Sequence, residues 1–310
     1  MEKIFKTVDG KSYSMEEAIN IFINYTLRHN GKIKDRFKNI RVESYRNQLP
    51  NGSGALANSD AQSNTIRIIQ GGCDIITFFH ELKHLADSWQ GSNGIWLSNW
   101  GSINEDNMCA ERSNTEKGKV NIRKGTKGLT MREATAELFA SKVYWDLCKS
   151  SIGKATKETQ KRTFYDEEII LFKMICIILG IDEDEILSWE SDNEICRRRL
   201  IYCFSKLTNQ ENFWIKLEAY MDYIAMVKYI KLTEPNWVLS NETLNTVDIC
   251  KKNINDCFQF CMQEDIQRIY FLSNSNSYNS YSNFDEVYEN KLEELRKLEN
   301  YLHHSSIGQL

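Results

Sequence analysis

Proline is nearly missing from this chain: Pro50 and Pro235 are the two in 310 residues. Few breakers are therefore available, which favours long helices. Long apolar runs are also missing. No stretch approaches eighteen uncharged apolar residues, and the first ten positions lack the apolar core of a secretory signal, so neither a membrane span nor export by that route is expected. Neither sign of charge dominates. Lys and Arg number 39 against 43 Asp and Glu, a net charge of −4 spread along the chain, which argues against nucleic acid or a membrane surface as partner. Nine cysteines are scattered through the sequence. An odd, unpatterned set reads as reduced thiols and a cytoplasmic protein rather than a disulfide framework.

The length allows one large domain or two modest ones. A hairpin is predicted around Asp9-Gly10, then a helix capped by Ser14 and Glu17 that runs to about His29. Ile40, Val42 and Tyr45 suggest a strand, and Asn64 to Ile69 a second one, giving a small antiparallel sheet. The polar segment 88–131, anchored by Trp89, Trp96 and Trp100, is too long for a plain connection and reads as a surface excursion or a rim over a cleft. From Leu129 onward helices are predicted over 131–147, 166–179, 193–207, 210–232 and 254–272. The run of Ser, Asn and Tyr over 273–283 reads as a linker before a charged helix from Phe284 to about Leu302. The expected division is a core over 1–150, a helical lobe over 151–272 that completes a cleft, and a linker with terminal helix over 273–310.

Five histidines are present, and two of them stand in Phe79-His80-Glu81-Leu82-Lys83-His84-Leu85. On a helix, residues four apart project from one face, so His80 and His84 can bind one cation, with Glu81 beside it as general base. The pattern points to a zinc-dependent hydrolase. A third ligand is required. A histidine six positions after His84 is ruled out because position 90 is Gln90, which leaves an acid from elsewhere. The best source is Met131-Arg132-Glu133-Ala134-Thr135-Ala136-Glu137. Its two carboxylates lie one turn apart, and the small residues between them permit close helix packing. Glu105, Asp106, Cys109 and Glu111 are the weaker alternatives. Asp87 and Glu137 compete for orienting a histidine ligand. Lys83 is expected to face solvent.

These two motifs together resemble the gluzincin metallopeptidases. The resemblance implies a zincin-like core, zinc bound by His80, His84 and Glu133, and a hydrogen bond from Glu137 to a ligand histidine. It further implies a peptide or protein substrate that adds as a strand to the run preceding the metal helix. Arg199 and Tyr202, three apart, resemble the Arg/Tyr pair with which some members stabilise the oxyanion. Two other functional classes remain open: a helical interaction protein with a structural or degenerate metal site, and a hydrolase of a non-peptide bond. The apolar stripe Val287, Leu292, Leu295, Leu298 and Leu302 can dock on its own domain or serve a partner or self-association through 284–304. Cys250, Cys257 and Cys261, like Cys196 and Cys203, read as core residues rather than ligands.

Overall fold

The computed structural model describes residues 4–29, 37, 39–50, 55–90, 96–102, 110–112, 120–122, 128–189, 196–233, 238–273 and 284–304. Of residues 103–109, and so of Glu105, Asp106 and Cys109, nothing is described, and of Glu111 only the backbone. The linker read over 273–283 likewise lies outside the described residues beyond Ser273.

Strands β1 (Phe5–Lys6) and β2 (Ser12–Tyr13) pair antiparallel through the turn at Asp9-Gly10. Helix α1 (Met15–Arg28) starts at a complete capping box: the Ser14 hydroxyl accepts from Glu17 N–H, and the Glu17 carboxylate accepts from Ser14 N–H. Both are orphan donors that a helix start must satisfy. Strands β3 (Arg41–Tyr45), β4 (Ala57–Asp60) and β5 (Thr65–Ile69) form a sheet in the order β3-β5-β4. Its register alternates as expected, with Ile66 and Ile68 buried while Arg67 reaches Asp60 and Glu43.

Two expectations fail in this sheet. It is mixed rather than antiparallel, because β3 runs parallel to β5 and only β4 is antiparallel. The run before the helix that carries His80 and His84 is also no edge strand: β5 is the central strand, its backbone paired on both sides, so a substrate cannot add to it. The edge strand nearest α2 (Ile75–Asp87) is β4.

After α2 the chain forms an antiparallel sheet from β6 (Ser88–Gln90), β7 (Trp96–Ser98) and β8 (Gly101–Ser102), and a ribbon of β9 (Ala110–Arg112) and β10 (Val120–Ile122). The rest is helical: α3 (Leu129–Leu147), α4 (Ile152–Thr159), α5 (Asp166–Leu179), α6 (Glu183–Trp189), α7 (Cys196–Thr208), α8 (Phe213–Thr233), α9 (Asn241–Cys261), α10 (Glu264–Ser273) and α11 (Phe284–His304). The chain is thus a mainly helical α+β protein. The helix read over 254–272 is two, broken at Met262-Gln263, where the Gln267 side chain donates to the carbonyls of Cys261 and Ile178 in place of a continuing helix.

Buried apolar residues form two clusters. One joins α1, the β3-β5-β4 sheet and α2 with Ala140, Val143 and Tyr144 of α3; the other joins the later helices with Met131, Ala134 and Leu138 of α3. Helix α3 therefore has no solvated face along most of its length, and its alanines let α2 lie close against it. In α11, Phe284, Tyr288, Leu292, Leu295, Leu298 and Leu302 pack on the second cluster, mainly against α5. Cys250 and Cys261 are buried in the same cluster, Cys196 with them, and Cys203 and Cys257 pack against it, all as free thiols. No helix among the described residues is long and apolar enough to cross a membrane.

Candidate metal centre

Two helices carry the site. Helix α2 begins where Asp74 caps it, accepting from Thr77 N–H at 2.7 Å. Gly128, at the start of α3, has no side chain with which to cap it and takes a positive φ of 84°. A β-carbon there would lie 2.0 Å from the Trp100 carbonyl oxygen, so only glycine fits. The missing cap comes from α8: the buried Asp222 carboxylate accepts from Gly128 N–H at 2.7 Å and Thr130 N–H at 2.9 Å. Glu133 and Glu137 follow in the second and third turns of the helix so anchored.

The side chains converge. His80 Nε2 lies 2.9 Å from His84 Nε2 and 3.1 Å from Glu133 Oε2, which is 3.2 Å from His84 Nε2. Among the described residues this is the group of His, Cys, Asp and Glu side chains arranged to hold a metal ion. On its other side, His80 Nδ1 meets Glu137 Oε2 at 2.9 Å. A carboxylate cannot donate, so Nδ1 carries the proton shared with Glu137, and in the neutral ring the Nε2 lone pair faces the cluster. His84 Nδ1 is buried with no hydrogen-bond partner among the described residues. Glu81 is half-buried on the adjoining position of α2.

The donor set fits a borderline cation. Two imidazole nitrogens and one carboxylate oxygen are a common zinc set, and tetrahedral bonds of 2.0–2.1 Å would separate such atoms by about 3.3 Å, a few tenths more than here. With no ion, the same residues compensate one another with protons. Burial opposes the His80 imidazolium, but hydrogen bonds to Glu133 and Glu137 outweigh it and push its pKa up to about 10. Burial alone would raise Glu137; hydrogen bonding and charge from His80, and then Arg162, bring it down to about 2. Glu133 is held well below the usual carboxylate range, against its burial, by His84, His80 and Arg132. His84 is lowered by burial.

The remaining sequence candidates fall elsewhere. Asp87 does not reach the histidines in any described contact; it binds Lys83 at 2.6 Å. That pair corrects the reading of Lys83 as a solvent-facing residue: it is 5% exposed, with Nζ 5.0 Å above the Phe139 ring of α3. Tyr202 is 64% exposed with Lys206 over its ring, and Arg199 acts electrostatically on Cys203 of the same helix.

Other residues are there instead. Tyr165 stacks on the His80 imidazole, with ring centroids 4.9 Å apart and planes 15° from parallel. Its phenol is raised well above the ordinary value by burial and by the carboxylates of Glu133, Glu81 and Glu137. Arg162 donates from Nε to Glu137 at 2.6 Å, from one terminal nitrogen to Asp74 at 2.7 Å, and from the other to Thr77 at 3.1 Å. Arg132 binds the outer oxygen of Glu133 at 3.1 Å, and Tyr229 of α8 lies within electrostatic reach of Glu133 and Glu81. Arg162 and Tyr165 repeat the three-residue spacing of Arg199 and Tyr202, so the spacing alone could have nominated either pair.

In comparisons with known proteins, no family model matches the chain, and neither a curated protein nor a solved structure matches it.

Proposed function

We propose that this protein is a zinc-dependent metallopeptidase of zincin-like architecture, with His80, His84 and Glu133 as ligands and Glu81 as general base. The observation that carries the reading is the convergence of the three ligand atoms, with Glu137 on the far nitrogen of His80. When bound, the metal would supply a Lewis acid and a bound water of pKa about 7. The protein's own groups do the rest. Glu81 accepts the proton of the attacking water as its oxygen bonds to the carbonyl carbon, then delivers that proton to the leaving nitrogen as the C–N bond breaks. Tyr165, whose ring stacks on His80 and whose phenol is held in its protonated form, is assigned the hydrogen bond to the developing oxyanion. A peptide substrate rests on the motif resemblance, and β4, an edge strand among the described residues, offers it a backbone to pair with.

Metal content tests the reading first. The natural chain should hold about one zinc, lost in His80→Ala and Glu133→Ala, while Glu81→Gln should keep the metal and lose peptide hydrolysis by a factor of at least about 10³. No zinc after metal is supplied would overturn the metal site. Zinc without peptide hydrolysis across a broad substrate panel would leave the site and remove the peptidase.

A further inference from the structure

Arg162 occupies a position that the metal-site reading does not use. It belongs to neither ligand helix, standing in the turn between α4 and α5, and its side chain is four-fifths shielded from solvent. Its guanidinium touches both ligand helices at once. Nε donates to Glu137 Oε1 at 2.6 Å, so that Oε2 of the same carboxylate is the oxygen left for His80 Nδ1 at 2.9 Å. A weaker contact joins Nη2 to Oε2 at 3.5 Å. Nη1 binds Asp74 Oδ2 at 2.7 Å, while Oδ1 of Asp74 caps α2. Nη2 also reaches the Thr77 hydroxyl at 3.1 Å. A closed circuit results: the α2 cap, Arg162, Glu137 of α3, and back to His80 on α2.

We infer that Arg162 is a positioning residue: it fixes the Glu137 carboxylate so that His80 is held in the tautomer and ring orientation that present Nε2 to the metal. The planar fork suits this because it satisfies three acceptors in fixed directions, which a lysine ammonium cannot reproduce. A carboxylate freed of Arg162 keeps its charge but rotates, and His80 loses the constraint on its ring. The inference rests on the metal-site reading for its effect on affinity, but not for its effect on the ring.

Two readouts on the full chain separate the ideas. Zinc affinity, by competition with a chromophoric chelator, should fall about 10–100-fold in Arg162→Met, as for loss of other groups that orient ligands. Arg162→Lys should recover part of it, and Arg162→Met should add less than about twofold in a Glu137→Gln background, because the effect runs through Glu137. In the metal-free protein, the His80 Nδ1 proton should give a slowly exchanging downfield NMR signal, lost or broadened in Arg162→Met and retained in the exposed-arginine control Arg28→Met. If Arg162→Met fails to fold, Arg162→Lys and Asp74→Asn carry both readouts. Unchanged affinity with an unchanged signal, or an effect that multiplies fully with Glu137→Gln, would overturn the role of Arg162. A natural chain that binds no zinc yet loses the signal in Arg162→Met would overturn the metal site and keep the role.

Discussion

At the scale of single residues, Lys83 and Asp87 carry a cost that their positions on α2 impose. Both side chains are 6% exposed and paired at 2.6 Å, one turn along from the imidazoles. Removing one member of a buried pair leaves the other charge in a poor solvent, whereas removing both does not. Lys83→Met should therefore lower stability in urea by about 3 kcal/mol, and Lys83→Met with Asp87→Leu by clearly less, since apolar side chains of similar volume refill the space. Additive losses would show that the two residues act independently. Nothing in the sequence marks Lys83 as buried: a lysine between a leucine and a histidine looks like the polar side of a helix. Phe139, 56 positions later, decides the matter by placing its ring under the ammonium. The side chains of the candidate site were legible for the opposite reason. His80 and His84, and Glu133 and Glu137, are each one turn apart, so their geometry is local.

Among the elements, α11 shows a polar intruder at its seam. Phe284, Tyr288, Lys291, Leu295, Leu298 and Leu302 recur at alternating steps of four and three, and Lys291 holds a place in that stripe where an apolar residue belongs. Its Nζ is buried with no hydrogen-bond partner among the described residues, 4.1 Å over the Phe271 ring and close against Gly180, where α5 ends. Burial lowers its pKa to about 8 from the usual 10.5. Between those values the unfolded chain binds the proton that the folded chain has lost, so the contribution of Lys291 to stability should rise as pH increases from 8 to 10.5, by about 3 kcal/mol at most. Lys291→Met should be more stable than the natural chain at pH 7, and the difference between the two in urea titrations should shrink across that interval; the difference isolates Lys291 from His80, whose contribution to stability is lost over the same range. A difference that is constant from pH 8 to 10.5 would show the ammonium to be solvated.

Element legibility followed the same division between local and distant causes. The capping box at Ser14 and Glu17 and the turn at Asp9-Gly10 are written within four residues, and both form. The pairing of β3 with β5 is not local: a parallel neighbour needs a crossover, and β4 inserts on the far side of β5 with no hydrophobic alternation in Ala57-Asn58-Ser59-Asp60 to announce it. The break between α9 and α10 carries neither proline nor glycine, and its stabilising Gln267 contacts a carbonyl from α5.

At the scale of the whole molecule, one helix belongs to two cores. The N-terminal half of α3 is buried among the later helices, and its C-terminal half among α1, α2 and the sheet. Neither core can dissolve without exposing a face of α3 that the other needs ordered. Leu138→Ala and Val143→Ala, one on each side, should each cost about 2–3 kcal/mol and shift the same single transition. Tryptophan fluorescence and far-UV circular dichroism should report coincident curves for both variants. Separate transitions would mean that the halves melt independently.

The cap that α8 lends to α3 also orders events in time. Asp222 serves backbone groups that precede it by 94 and 92 residues, so during synthesis the start of α3 stays unfinished for about 5–20 s after Gly128 is made. Arg162 and Tyr165 arrive within that interval and Tyr229 just after it. A growing chain thus carries the histidines and Glu133 before Asp222 can finish the start of α3, and a ribosome-bound fragment ending short of α8 has the side chains of the candidate site without that cap.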